Sequence, residues 1–119
     1  MKNSALKEKS FKFAVRIVNL NKHLREDKKE FIISKQVLRS GTSVGAMVRE
    51  AEQAESKADF VHKLAIAQKE INETLYWLEL MQATEYLSDK EFESINNDAI
   101  ELIKLLISSI KTAKQKLHP

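Results

Sequence analysis

Apolar residues recur every three or four positions along four separate stretches of the chain, and none alternates with polar residues as in a half-buried strand. The first stretch covers about residues 4–25. Leu6, Phe13, Ile17, Leu20 and Leu24 keep helical spacing there, with Phe11, Ala14 and Val18 beside them, a stripe wide enough to meet two neighbouring helices. A charged break, Glu26-Asp27-Lys28-Lys29-Glu30, follows. The second helix is expected over about residues 34–53, with Ser34 as N-cap and Val37, Val44, Val48 and Ala51 as its apolar seam. The third, about residues 57–83, opens on the cap pattern Ser56-Lys57-Ala58-Asp59 and carries Phe60, Leu64, Ala67, Ile71, Leu75 and Leu78. The fourth, about residues 89–116, opens on the capping box Ser88-Asp89-Lys90-Glu91. It continues through Phe92, Ile95, Ala99, Leu102, Leu106 and Ile110, and Lys111, Lys114 and Lys116 suit the negative end of its dipole.

Long helices joined by short connections pack as antiparallel neighbours. The pattern therefore predicts one all-α domain over residues 1–119, an antiparallel up-down four-helix bundle. Punctuation agrees: the 119 residues include two Gly and one Pro, the terminal Pro119, too few turn formers for a β-rich fold. A chain of this length can build a core without staples, and the absence of Cys excludes disulfides, thiolate metal sites and thiol nucleophiles. The opening Met1-Lys2-Asn3-Ser4 leads into a charged amphipathic stretch rather than a signal core, and no apolar run reaches the roughly 20 residues a spanning helix needs. A cytoplasmic location is expected, with no membrane partner.

Charge changes the picture more than composition does. The net charge is only +3, but residues 1–39 hold 11 Lys/Arg against 4 Asp/Glu, whereas residues 40–87 hold 4 against 8. Lys9, Lys12 and Arg16 share a helical face, with His23 further along it, and Lys22, Arg25, Lys28 and Lys29 add charge at the helix end. Such a face attracts phosphate without regard to sequence, and these seven cations are the candidate nucleic-acid-binding residues. The alternative is a solvated helix face. No aromatic residue interleaves with the cations, so base stacking is not expected.

Both glycines fall inside the second helix, where each costs roughly 1 kcal/mol against Ala. Gly41 and Gly45 are four residues apart and so share a face, near Ser40, Thr42 and Ser43. That smooth face permits close approach of another backbone, from within the bundle or from another subunit. Glu70 and Glu73 lie three apart on the third helix and Glu50 on the second. A di-metal bundle site would need Glu-x-x-His pairs from two helices. Only Asp59-x-x-His62 comes near, and His23 and His118 lack such a partner, so neither a metal nor a cofactor is expected. These carboxylates are better suited to pairing with Arg or Lys between helices or subunits. Tyr76 and Trp77 are adjacent and cannot face the same seam. Trp77 shares its face with Glu73 and Leu80, a mixed surface that suits an interface. Gly41, Ser43, Gly45, Glu50, Glu70, Glu73, Tyr76 and Trp77 are thus candidates for an oligomer interface or close helix packing. No Ser, His and acid arrangement supports a nucleophile, and the chain is expected not to be an enzyme.

The segment Arg39-Ser40-Gly41-Thr42-Ser43-Val44-Gly45-Ala46, followed by Arg49-Glu50-Ala51, resembles the signature of the 23S rRNA intervening-sequence proteins. The likeness continues through Ala54-Glu55-Ser56-Lys57-Ala58-Asp59-Phe60 and Lys69-Glu70-Ile71-Asn72-Glu73-Thr74 to Tyr76-Trp77-Leu78-Glu79-Leu80. One departure is Met47, where that family usually has Asn, so any role of the amide is lost or altered. The resemblance implies a four-helix bundle that assembles as a homopentamer, with no established enzymatic activity. It also implies kinship with the accessory protein of diversity-generating retroelements, a basic pentamer that binds nucleic acid and a reverse transcriptase. The function expected is a noncatalytic homo-oligomeric scaffold that binds RNA or another nucleic acid through its basic first third. The alternative is a protein–protein adaptor, with a partner encoded nearby and no nucleic-acid binding.

Overall fold

The computed structural model describes residues 4–117. Met1, Lys2, Asn3, His118 and Pro119 lie outside the described residues. Four α-helices follow in chain order: α1 (Ser4–Glu26), α2 (Ile33–Glu52), α3 (Lys57–Ala83) and α4 (Asp89–Leu117). They form an all-α, antiparallel up-down bundle measuring 50 × 22 × 20 Å, and no strand occurs among the described residues. Helix α2 packs on both α1 and α3, α3 packs on α4, and α1 meets α4 along a much shorter contact.

The core contains the residues whose spacing marks each buried face. Leu6, Phe13, Ile17 and Leu24 of α1 meet Val37, Val44 and Val48 of α2, Leu64, Ile71 and Leu78 of α3, and Leu102 and Leu106 of α4 in one buried cluster. The α1 stripe is narrower than expected. Phe11 is 54% and Val18 37% exposed, because both lie on the flank of α1 turned away from Lys9 and Arg16, the residues that reach α4. Two of the positions on its inner face are polar, Ser10 and Asn21, and both are buried. Asn21 is satisfied on both sides: its amide donates to the Ser34 carbonyl at 3.0 Å and its oxygen accepts from Arg25 Nε at 3.0 Å.

Both glycines face α1. A Cβ on Gly41 would stand 2.7 Å from Cγ1 and 2.9 Å from Cγ2 of Ile17, and a Cβ on Gly45 would stand 3.3 Å from the Ser10 carbonyl oxygen. The glycines therefore remove two side chains where α2 crosses closest to α1, inside the bundle. On the opposite side of α2, Ser40 and Thr74 of α3 are fully buried, and Thr74 Oγ1 lies 2.8 Å from both Ser40 Oγ and the Glu70 carbonyl oxygen.

The helix ends divide between expected and unexpected chemistry. At α4 the capping box closes in both directions, Glu91 N–H to Ser88 Oγ at 3.1 Å and Ser88 N–H to Glu91 Oε1 at 2.9 Å. The Ser88 backbone N–H, and after it the Ser88 hydroxyl, hold the Glu91 carboxyl below the usual carboxylate range. At α3 Ser56 caps Asp59 N–H, while the Asp59 carboxylate reaches one residue further back, to Glu55 N–H. The C-terminus of α3 closes with Tyr86 N–H on the Met81 carbonyl and Glu85 N–H on that of Gln82, with Glu85 at φ 68 in the left-handed position that usually holds Gly.

Ser34 is not the cap of α2. It lies inside the helix, fully buried, and Ile32 occupies the N-cap position with no side-chain cap bond. The role passes to Glu30, whose carboxylate accepts from the N–H groups of Ser34 at 2.7 Å, Ile33 at 3.1 Å and Ile32 at 3.3 Å. A longer acidic side chain four residues upstream satisfies three orphan donors where a serine hydroxyl would satisfy one.

Replacing Gly41 with Ala sets a helix-propensity gain of roughly 1 kcal/mol against overpacking of typically 1–3 kcal/mol, because the β-branched Ile17 cannot swing away cheaply. We expect a net loss of up to about 2 kcal/mol in urea unfolding, part of which an added Ile17→Val substitution recovers. An additive double variant would show that Ile17 does not set the spacing.

Candidate functional site

Along α1 the cations separate into two groups. In the first, Lys9 pairs with Glu101 of α4, and the hydrogen bond and charge of Glu101 raise its pKa. Lys12 pairs with Glu8 one turn earlier at 2.9 Å, which lowers the Glu8 carboxyl. Arg16 reaches α4, with Nη1 2.7 Å from Asp98 Oδ2 and Nη2 3.1 Å from Ser94 Oγ. His23 contacts Asp27 at 2.7 Å on its own helix end. Two cations of the shared basic face, Lys9 and Arg16, thus bridge α1 to α4, and Lys12 and His23 pair with acids near them in the chain.

The second group lies at the end of α1 and in the turn to α2. Lys22, Arg25, Lys28 and Lys29 are exposed, and among the described residues none has a carboxylate within ion-pair distance. The turn that carries them is firmly built. Lys28 N–H bonds to the His23 carbonyl at 3.3 Å, Glu30 N–H to the Leu24 carbonyl at 2.9 Å, and Lys29 stands at φ 57. Glu30 then turns inward, only 8% exposed. Burial pushes its carboxyl pKa up, but the backbone N–H groups of Ser34, Ile33 and Ile32 outweigh that and hold it below the usual carboxylate range.

Turning Glu30 inward turns the next two residues outward. Phe31 is 58% and Ile32 78% exposed. An aromatic ring therefore stands two residues beyond Lys29, at the border of the cationic group rather than interleaved with it. Of the apolar run Phe31-Ile32-Ile33, only Ile33 packs on the core. The exposed apolar residues of α1, Phe11, Val15 and Val18, recur at i, i+4 and i+7, with the Arg49 guanidinium 5.2 Å above the Phe11 ring.

The candidate carboxylates of α2 and α3 are held by cations of the same chain. Arg39 of α2 bridges Glu70, at 3.1 Å, and Glu73. Glu73 also accepts from Trp77 Nε1–H at 2.9 Å. The Tyr76 ring stands edge-on to Trp77, centroids 5.0 Å apart, and remains 57% exposed. Glu50 lies 3.4 Å from Lys63. Ser43 Oγ donates to the Arg39 carbonyl at 2.6 Å. Met47 is partly buried against the core.

No three His, Cys, Asp or Glu among the described residues are placed to share a metal ion. A groove of about 500 Å³ between α1 and α4, floored by Leu20, Leu87 and Ile95, carries Arg16, His23 and Glu91 at its rim. Each of these polar groups is already bound to a neighbour, Arg16 to Asp98, His23 to Asp27 and Glu91 to Ser88. No described helix is long and apolar enough to cross a membrane.

A family model described as 23S rRNA-intervening sequence protein matches residues 2–108. The chain belongs to this family. A similar solved structure, a protein of unknown function from the S23 ribosomal protein family of Bacteroides thetaiotaomicron VPI-5482, is 63% identical. It covers 93% of this chain and 99% of its own, with a TM-score of 0.92. No curated protein matches at the same stringency. The 23S rRNA-intervening sequence family indicates no catalytic class, and its match extends through all of α1, α2 and α3 and most of α4.

Glu30 provides a pH test of the turn. Its depressed pKa means that its share of stability is complete above the unfolded carboxyl pKa and is lost as pH falls through the folded value. Glu30→Ala should cost about 1–2 kcal/mol at pH 7, the scale of a lost helix cap. The gap to the wild type should narrow in denaturation measured at progressively lower pH. A gap independent of pH would remove the carboxylate from the account.

Proposed function

We propose that the protein is a noncatalytic, homo-oligomeric scaffold that binds RNA through the end of α1 and the α1–α2 turn. The observation that carries this reading is the unpaired, exposed group Lys22, Arg25, Lys28 and Lys29, beside a second set of cations already neutralised by acids of the bundle. Flexible cationic side chains of this kind attract phosphate and carry little base information, so binding should be tolerant of sequence and steep in salt. Repetition of the group around an assembly would raise its effective affinity. Self-association is supported by the exposed Phe11, Val15 and Val18 on one helical stripe and by Tyr76 on α3. The family resemblance makes a homopentamer the specific expectation.

A second reading, a protein adaptor without nucleic-acid binding, is favoured by the same α1 stripe, which would then receive an unrelated partner rather than a copy.

Filter binding of a single-stranded RNA across a salt series separates the readings. Removing one cation that neutralises a phosphate should reduce the log–log salt slope by about 0.7, so Lys28→Ala with Lys29→Ala should lower it by roughly 1.4. Lys9→Ala with Arg16→Ala should leave the slope near the wild-type value, since those cations are internally paired. Absence of binding even at low salt would sink the RNA reading and leave the adaptor.

Light scattering at micromolar concentration should return a multiple of the 13.7 kDa chain mass, five-fold for the pentamer. A monomer would contradict the assembly.

A further inference from the structure

We propose that the α1–α2 turn is a stacking site for an unpaired nucleobase, with Phe31 as the platform and the neighbouring cations as the phosphate track. The inference rests on the RNA reading and gives it a definite ligand: single-stranded rather than duplex nucleic acid.

Three observations converge on it. Phe31 is 58% exposed although it lies at the start of an apolar run, so more than half of its surface is open to solvent. Its position is held by the buried Glu30 carboxylate, which ties down the N–H groups of Ile32, Ile33 and Ser34. A ring on a fixed backbone loses less freedom on binding than one on a mobile loop. Lys29 lies two and Lys28 three residues before it in the chain, and Lys22 and Arg25 extend the charge back along α1. A row of cations ending in an aromatic face matches a single strand, whose phosphates follow a line and whose bases can turn out to stack. A paired base in a duplex offers no free face.

The same turn does not free the N-terminus of α2 for phosphate, because Glu30 already occupies its donors. Phosphate contact therefore falls to the side chains. An anionic membrane is the less fitting occupant: even a whole myristoyl chain anchors a protein only marginally, and here two side chains would have to serve. The exposed cations also continue from the turn, at Lys28 and Lys29, back onto α1 at Arg25 and Lys22.

The test uses the full-length protein and fluorescence anisotropy with a labelled RNA of about 12 nucleotides, within the span of a typical single-strand site, alone and annealed to its complement. Phe31→Ala and Phe31→Leu should each weaken single-strand binding about 5- to 10-fold, the lower end of the stacking range. Both should leave duplex binding unchanged, and Phe31→Trp should preserve the single-strand affinity. Thermal melts of the variants should match the wild type, since the ring is largely exposed. Retention of wild-type affinity by Phe31→Leu would show a merely apolar contact and overturn the proposal, as would equal losses on single strand and duplex. RNA binding indifferent to every Phe31 variant would remove the stacking site while leaving the RNA reading intact; no RNA binding by the wild type would remove both. Phe31-dependent sedimentation with phosphatidylserine vesicles, or a lower mass for Phe31→Ala in light scattering, would reassign the turn to a membrane or a subunit contact and equally overturn it.

Discussion

The close approach of α2 to α1 is the constraint from which the rest of the molecule follows. With no Cβ on Gly41 and none on Gly45, the α2 backbone settles against Ile17 and the Ser10 carbonyl. Two glycines in a helix interior are a local cost of about 1 kcal/mol each, and the packing they permit is what offsets it. Once α2 lies that near, the buried Asn21 can reach the Ser34 carbonyl across the gap. Ser34 must then sit inside the helix, and the duty of capping falls on Glu30. Helix α2 is thereby held on both sides, by α1 through the glycines and by α3 through Ser40, Thr74 and the Arg39 bridge to Glu70 and Glu73.

That same geometry leaves α1 with one close neighbour and one distant one. The seam with α4 carries the pairs Lys9–Glu101 and Arg16–Asp98 outside the shared core. Exposed ion pairs of this kind contribute little net stability, so their consequence is mainly electrostatic. They remove two cations from the basic face and leave the unpaired charge at the end of the helix. The functional reading thus moves from the middle of α1 to its C-terminal turn. There the inward turn of Glu30 has also placed Phe31 and Ile32 in solvent. Charge and an aromatic ring meet at that point because a helix needed a cap.

Membership in the 23S rRNA-intervening sequence family and the likeness to a solved structure at 63% identity agree with this architecture without adding a chemistry to it. The carboxylates on α2 and α3, whose spacing raises the question of a metal cage, are held by Arg39 and Lys63. Trp77 donates to one of them. They form a polar belt on the α2–α3 side, and Tyr76 marks where that belt opens to solvent.

The sequence by itself determined the four helices, their order and most of the core, because those features depend on local periodicity and on caps that act over three or four residues. The box Ser88 to Glu91 is legible for that reason, and so is the buried stripe of Leu64, Ile71 and Leu78. Tertiary structure alone decided three things. It placed both glycines against α1, a matter of which helix lies opposite. It divided the cations into paired and free, since the acids that neutralise Lys9 and Arg16 lie more than 80 residues away in the chain. It also turned Phe31 outward, because Ser34 and Glu30 compete for one cap and only the packed position of α2 settles which of them is buried within the helix. Periodicity reports which residues prefer to be covered; which neighbour covers them, and which are left uncovered, depends on contacts between segments distant in sequence.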